Sequence, residues 1–184
     1  MSNITKKAMA QSLKKMLQIK DLDKITITDI TNYCGINRQT FYYHFKDIYD
    51  LLEWIFENEV IEKIENETTI ETWQENFKYV LDYMLKNKKF IIKTYNSLSR
   101  KTLLEFLFNQ YNIIFIEIVN DLSKNYNITR ENKIFIANFY KYGFAGIIEN
   151  WIVTEMKESP ENIIKKLDVM ISGSFEEAVR KMST

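Results

Sequence analysis

The chain has 184 residues, of which 46% are apolar and 27% charged, and its formal net charge is zero. These proportions are ordinary for a soluble globular protein with a sizeable core. The single cysteine, Cys34, excludes an internal disulfide and a zinc site built from cysteines. Only four glycines and one proline interrupt the chain, which together with long stretches of helical periodicity predicts an all-α fold.

The charges are divided unevenly along the chain. Residues 1–46 carry eight Lys and Arg against three Asp, a net charge of +5, and the remainder carries −5. A basic excess in one small unit indicates where phosphate would be attracted. Chance clustering explains the same numbers, so charge alone does not decide the function.

The sequence predicts neither export nor a membrane span. The N-terminal residues are not followed by the apolar stretch that a signal peptide requires, and the richest apolar segment, residues 113–119, is too short to cross a bilayer. With the lone cysteine, these features predict a cytoplasmic protein without membrane contact. The abundance of Ile, Asn and Lys is typical of a bacterium with an A/T-rich genome.

The first two helices are predicted from apolar spacing and capping residues. Helical periodicity covers residues 5–19, with an apolar stripe at Met9, Leu13, Met16 and Leu17. Thr26, followed three residues later by Asp29, has the spacing of a capping box and begins the second helix. The inward positions of this second helix are predicted to be Ile27, Ile30 and Cys34.

A short third helix is predicted over Arg38–His44. Gly35 stands where a glycine ends a helix in the left-handed conformation, and Asn37 can cap the helix that follows. Phe41 and Phe45 lie four residues apart and are predicted to anchor this helix to the other two.

Longer helices are predicted after the third. Asp47 begins a fourth helix, with Asp50 in its first turn, that continues to about residue 64. Residues 103–122 are apolar on nearly every side, which predicts a buried central helix. Ser159 and Pro160 form a strong start signal. The helices after the fourth are placed near residues 70–86, 88–98, 101–125, 131–157 and 160–182.

Two short helices that meet at Gly35 have the layout of a helix-turn-helix, whose second helix enters the major groove of DNA. Arg38 has the donor geometry to pair with guanine, and Gln39 can pair with adenine. Hydroxyl, imidazole and ammonium groups that suit phosphate oxygens follow at Thr40, Tyr42, Tyr43, His44 and Lys46.

Two of these residues have structural alternatives. Adjacent tyrosines can fill a core, but Phe41 and Phe45 already occupy the inward face, so Tyr43 is predicted to face outward. His44 is the only histidine in the chain. It is expected to contact a phosphate or to cap the end of its helix, and not to transfer a proton.

Four segments carry a family resemblance: Ile25–Ile30, Cys34–Arg38, Thr40–Asp47 and Leu51–Leu52. In this order and N-terminal position they resemble the DNA-binding signature of the TetR family. The resemblance implies a three-helix DNA-binding domain over residues 1–46, joined to a larger helical ligand-binding and dimerisation domain over residues 47–184. It also implies DNA-contacting roles for Thr28, Arg38, Gln39, Thr40, Tyr42, Tyr43, His44 and Lys46.

Two positions depart from the family pattern. Many members have glycine at the position of Gln39 and lysine at that of Ile48, so the base preference does not carry over and one phosphate contact is expected to be missing. Residues 38–42 and 52–58 are most similar to a subgroup that includes activators of dihydroxyacetone kinase operons. That subgroup implies activation instead of repression, with a protein coactivator as the signal instead of a small molecule.

The resemblance also implies a homodimer, in which the last two long helices pair with those of a second copy. Dimerisation follows from function as well, because one short recognition helix reads too few bases for useful specificity. Aromatic side chains across residues 73–151 either line a pocket for a small apolar or aromatic effector or fill a core. Gly143 and Gly146 lie inside a predicted helix, where close helix contact would offset their low helix propensity.

Other classes of protein find less support. We find no phosphate-binding glycine loop, no Gly-x-Ser-x-Gly elbow and no cluster of metal ligands, so neither catalysis nor a cofactor or metal site is expected. An adaptor that keeps the fold without binding DNA is the second alternative, and the basic excess and Arg38 argue against it. The favoured function is a regulator that binds a palindromic operator as a dimer under the control of an effector.

Overall fold

The computed structural model describes residues 2–63, 69–97 and 100–183, and the described residues form α-helices joined by short connections. The predicted all-α class is confirmed. The helices are α1 (Ser2–Met16), α2 (Ile27–Cys34), α3 (Arg38–His44), α4 (Ile48–Glu59), α5 (Trp73–Lys86), α6 (Lys88–Tyr95), α7 (Arg100–Leu122), α8 (Arg130–Val153), α9 (Pro160–Ile171) and α10 (Ser174–Lys181).

The chain divides into two compact units. The first contains residues 1–63 and 87–104, and the second contains residues 64–86 and 105–184. The first unit carries fourteen Lys and Arg against nine Asp and Glu, whereas the second carries eleven against sixteen. The basic excess of the N-terminal residues is therefore a property of the whole first unit. The functional domain boundary between residues 46 and 47 stays a prediction.

The core of the first unit is built around α1. Met9, Leu13 and Leu17 are fully buried, as the apolar stripe predicts, and Met16 is half-buried. The rings of Phe56 and Phe90 lie 5.5 Å apart, so α4 and α6 share this core. Helix α1 begins and ends three residues earlier than predicted.

The start of α2 is held by the predicted capping box. Thr26 Oγ1 accepts a hydrogen bond from the backbone N–H of Asp29 at 3.1 Å, and Asp29 Oδ2 accepts one from the backbone N–H of Thr26 at 2.8 Å. Lys20 Nζ donates to the same carboxylate oxygen at 2.9 Å. The bond from Lys20, followed by those from Thr26, lowers the pKa of Asp29 to about 2. The stabilisation by this carboxylate is thus fully present above its ordinary pKa and is lost as the pH falls through about 2.

The inward face of α2 differs from the prediction. Ile30 and Thr31 are buried, whereas Ile27 and Cys34 are only half-buried. A helix of eight residues packs mainly through its middle turn, and Ile27 and Cys34 stand at its two ends. Thr31 can be buried because its hydroxyl donates to the carbonyl of Thr28 at 3.2 Å.

The second unit has an aromatic core centred on Phe144. Its ring centroid lies 5.7 Å from that of Trp73, 5.1 Å from that of Phe77 and 4.8 Å from that of Phe115. The cavity among these rings and Tyr111 measures about 20 Å³, which holds roughly one water molecule. These aromatic side chains therefore fill a core.

The prediction that residues 103–122 form a buried central helix is wrong. Helix α7 buries one face, and 51% of Ile113 is exposed on another. Among the described residues, α7 is the one helix long and apolar enough to cross a membrane, and 33% of its most apolar stretch is buried. Length and composition alone are weak support for a membrane span. The buried residues of α7 are Leu103, Leu107, Tyr111, Phe115, Ile118 and Val119.

Several helix ends differ from the predicted ones. Helix α4 ends at Glu59 and is followed by a 3-10 turn at Ile61–Lys63, while residue 64 lies outside the described residues. Helices α6 and α7 end three residues before their predicted ends at 98 and 125, and residue 98 is likewise not described. Helix α8 ends at Val153 because Glu155 and Met156 take left-handed backbone angles, with φ of 58° and 51°.

The predicted helix over residues 160–182 is two helices. Ser159 caps α9 as predicted, since its hydroxyl accepts from the backbone N–H of Asn162 at 3.3 Å. Gly173 then takes a left-handed φ of 73°, which ends the helical path and allows α10 to begin. At Gly143 and Gly146 a Cβ atom would meet nothing within 4 Å among the described residues, so the expected close helix contact is absent within this chain.

We predict that Thr26→Ala lowers the free energy of unfolding by about 1 kcal/mol, because α2 loses its N-cap acceptor. Urea denaturation followed by circular dichroism measures this loss. Thr28→Ala is the matched control, since the exposed Thr28 side chain lies inside α2 and does not cap it. Equal stability of the two variants would contradict the capping role of Thr26.

Candidate nucleic-acid interface

Helix α3 begins at a side-chain cap, as predicted. Asn37 Oδ1 accepts from the backbone N–H of Thr40 at 2.8 Å and from its hydroxyl at 3.0 Å. Gly35 ends α2 with a φ of 68°, in the left-handed region that glycine tolerates. The turn between α2 and α3 is therefore three residues long and fixed at both ends, which is the predicted helix-turn-helix arrangement.

Two buried phenylalanines anchor α3, Phe41 on its inward face and Phe45 directly after its end. Phe41 is 0% and Phe45 2% exposed, and their ring centroids lie 5.9 Å apart. Phe45 also contacts Trp54 of α4, with centroids 6.0 Å apart, and Lys6 Nζ lies 5.4 Å from the Phe45 centroid. These contacts set the rotation of α3 about its axis, and the prediction that both residues anchor the helix is confirmed.

The opposite face of α3 is exposed. Tyr43 is 83% and Tyr42 51% exposed, and Arg38 and Gln39 are exposed as well. Tyr43 therefore faces outward as predicted. The Arg38 guanidinium donates to the Tyr42 hydroxyl at 3.2 Å, one helical turn along the same face. Arg38 is thus held over the surface of α3 with other donors free to point outward.

The remaining candidate residues lie around this exposed face. Thr40 and His44 are half-exposed on α3, and Lys46 is exposed just beyond its end. Thr28 is exposed at the second position of α2. The His44 ring packs edge-on against that of Tyr43, with centroids 4.9 Å apart. Six of the eight candidates thus lie on α3, Lys46 lies two residues beyond its end, and Thr28 lies at the start of α2.

The start of α4 positions Lys46. Asp47 Oδ1 accepts from the backbone N–H groups of Tyr49 and Asp50, both at 2.9 Å, which caps α4 as predicted. Asp50 Oδ2 accepts from the backbone N–H of Lys46 at 2.8 Å. The backbone of Lys46 is therefore fixed while its ammonium group stays exposed.

Ile48 occupies the position where many family members carry lysine, and it is half-buried. It lines a shallow groove with Leu22, Ile25 and Ile27, and its side chain has no polar group to offer a phosphate. Tyr49, which sequence analysis did not single out, is 42% exposed beside it. Tyr49 lies outside the apolar stripe of α4, and this position in the sequence could have predicted its exposure.

Comparison with known proteins places the chain in a family. Residues 71–173 match the TetR-type model described as "Transcriptional regulator C-terminal region". The chain belongs to the TetR family of transcriptional regulators. It is a transcriptional regulator of this type, and its relatives are regulators, not enzymes.

The relatives differ in how they are said to act. The chain is 29% identical over 154 residues to the HTH-type dhaKLM operon transcriptional activator DhaS of Lactococcus lactis, covering 83% of this chain and 81% of that protein. A solved structure of the dihydroxyacetone kinase operon activator DhaS has a TM-score of 0.72 at 24% identity over 98% of this chain and 99% of the other. NalD, the secondary repressor of the MexAB-OprM multidrug efflux pump in Pseudomonas aeruginosa, has a TM-score of 0.50 at 14% identity over 100% and 98%. Both structural similarities show the fold.

We predict different effects for Arg38→Ala and Lys46→Ala on DNA binding. Loss of Arg38 should cost about 1–3 kcal/mol on the preferred sequence and relax the preference at one base pair, because its predicted role is a base contact. Loss of Lys46 should weaken binding to all sequences and reduce the slope of log K against log salt by about 1, because its predicted role is a phosphate contact. Fluorescence anisotropy over a salt series separates the two, and identical behaviour of both variants would contradict the assignment.

Proposed function

We propose that this TetR-family regulator binds a palindromic operator as a homodimer through the outward face of α3. The observation that carries the proposal is the division of α3 into two faces. Phe41 on α3 and Phe45 directly after it are buried in the first unit, while three side chains of α3 are exposed: Arg38, Gln39 and Tyr43. The unit that presents them has five more basic than acidic side chains, which favours contact with phosphate.

The exposed residues divide by chemistry into two roles. Arg38 and Gln39 stand at the N-terminal end of α3, where a recognition helix meets base edges. Guanine and adenine are the bases that their donors and acceptors suit. The other residues carry hydroxyl, imidazole or ammonium groups for phosphate oxygens and set the register on the duplex: Thr28, Thr40, Tyr42, Tyr43, His44 and Lys46.

An exposed apolar stripe on α8 supports the homodimer. Phe135, Phe139 and Tyr142 are 64%, 68% and 61% exposed, and Gly146 and Val153 continue the same face of the helix. Val169 and Met170 of α9 are 73% and 74% exposed. Exposed apolar patches of this kind mark interaction sites. A second copy packing here would cover the open glycines. A two-fold dimer presents its two recognition helices to the operator about 34–36 Å apart, or a multiple of that.

A protein signal is the second candidate for control of the regulator. The cavity in the aromatic core of the second unit holds roughly one water molecule, so a drug-sized effector has no room there. The relative named above is an operon activator. Both observations favour a partner-dependent activator of a dihydroxyacetone kinase-like operon over a repressor released by a small molecule. Either regulator acts on the chromosome and belongs in the cytoplasm.

Anisotropy with DNA fragments from the upstream regions of its own genome tests the proposed function. We expect one fragment to bind with nanomolar affinity that falls with salt, and the Arg38→Ala/Tyr43→Ala double variant to lose this binding. Phe135→Glu/Phe139→Glu should bind the same fragment weakly and become monomeric in light scattering. Promoter activity that falls when the gene is deleted would indicate an activator, and activity that rises would indicate a repressor.

Ile113→Glu is the matched control for the dimer variant, because Ile113 is an exposed apolar residue of α7 outside the α8 stripe. It should remain a dimer and bind the operator normally. Uniformly weak binding of the wild-type protein to every fragment would count against the proposal. So would a monomeric wild-type protein at every concentration.

A further inference from the structure

A groove of about 620 Å³ lies between α7 and the first half of α8, entirely within the second unit. Its floor is apolar and includes Ile116 of α7 and Ile134 and Ala137 of α8. The groove is separate from the aromatic cavity around Phe144 and from the DNA-binding face of α3. Neither the proposed dimer surface on α8 nor the proposed operator-binding face includes this groove.

Two contacts connect α7 with α8, one in the groove and one at its end beside Asn112. Lys133 Nζ lies 3.3 Å from Asn120 Oδ1, and Lys141 Nζ lies 3.4 Å from Asn112 Oδ1. On each helix the two positions are eight residues apart, so the helices run antiparallel and the contacts are separated by about 12 Å along the axis. With Arg130 beyond them, the groove is as long as an α-helix of about three turns.

The rim on α8 is basic and has no carboxylate partner. None of the ion pairs among the described residues involves Arg130, Lys133 or Lys141, and no acidic side chain lines the groove. Other lysines of the unit do pair with carboxylates, as Lys78 does with Glu161 at 2.8 Å. A basic strip therefore stands on a unit that has sixteen acidic side chains against eleven basic ones.

We propose that this groove is the docking site for an acidic amphipathic helix of a partner protein. Apolar side chains of that helix would cover Ile116, Ile134 and Ala137, in the helix-in-groove mode of recognition. Its carboxylates would replace the two long lysine–asparagine contacts with charge-assisted hydrogen bonds, which are stronger. The proposal rests on the proposed function, since it supplies the surface through which a protein signal reaches the regulator.

The same observations disfavour two other occupants. Nucleic acid does not suit an apolar floor on a unit of net negative charge. A second copy of the chain has a different surface available, because the stripe through Phe135 and Phe139 lies on the other side of α8 from Lys133, Ala137 and Lys141 by helical period. The dimer and the partner helix can therefore be bound together.

A synthetic peptide tests the groove. The probe is a fluorescein-labelled helix of about 14 residues with a leucine stripe flanked by glutamates, and a second peptide carries lysine in place of each glutamate. We expect saturable binding of the acidic peptide that weakens with salt, and no binding of the basic one. The double variant Arg130→Glu/Lys133→Glu should bind the acidic peptide with an affinity lower by about tenfold or more.

Lys157→Glu/Lys165→Glu is the matched control, because it makes the same change of charge at two exposed lysines of the second unit outside the groove. It should bind the acidic peptide as the wild type does. Thermal unfolding confirms that both variants fold. Absent binding, or equal loss in both variants, overturns the docking site, and so does conversion of Arg130→Glu/Lys133→Glu to a monomer. Operator binding is measured on the same samples, so failure of the regulator proposal is seen independently.

Discussion

The burial of Phe41 and Phe45 is the interaction on which the DNA-binding arrangement depends. Helix α3 has seven residues, too few to be stable in water without tertiary contacts. The two rings attach it to the core shared by α1 and α4, and they fix which side of it faces out. The capping bonds of Thr26, Asn37 and Asp47 then hold the ends of α2, α3 and α4. So short a helix can expose a polar face to solvent only because Phe41 and Phe45 hold its other face against the core.

The N-terminal unit could be predicted closely because its signals are local. A capping residue, an acid three positions later and a glycine in the left-handed region each act through neighbours in the sequence, so α2 and α3 begin and end where the pattern places them. The second unit was less predictable. The apolar pattern continues through Gly173, whereas the backbone leaves the helical path at Ser172 and Gly173 and so separates α9 from α10. The degree to which Cys34 is buried depends on tertiary packing, and the sequence pattern gives no information on that packing.

Helix α7 shows a different limit of sequence reasoning. An apolar side chain such as Ile113 raises the hydrophobicity of a helix whether or not the chain covers it, so the pattern predicted burial where the structure has exposure. The same holds for Phe135 and Phe139 of α8, whose cover would come from another molecule. The candidate DNA-contacting residues could be named from the sequence because the family resemblance lies on segments close together in the chain, between residues 25 and 52. The α7–α8 groove could not, because its two walls are brought together only by the fold.

The two units differ in net charge and in the side chains that they expose. The first is basic and displays hydrogen-bond donors on α3. The second is acidic and has a filled aromatic core, and its apolar stripe on α8 and its α7–α8 groove lie on the surface.

The most direct test of the central claim is selection of bound sequences from random duplex DNA. The account predicts a palindromic motif whose half-sites are about 10 base pairs apart, or a multiple of that. Recovery of no motif, or of a single asymmetric site, would contradict it.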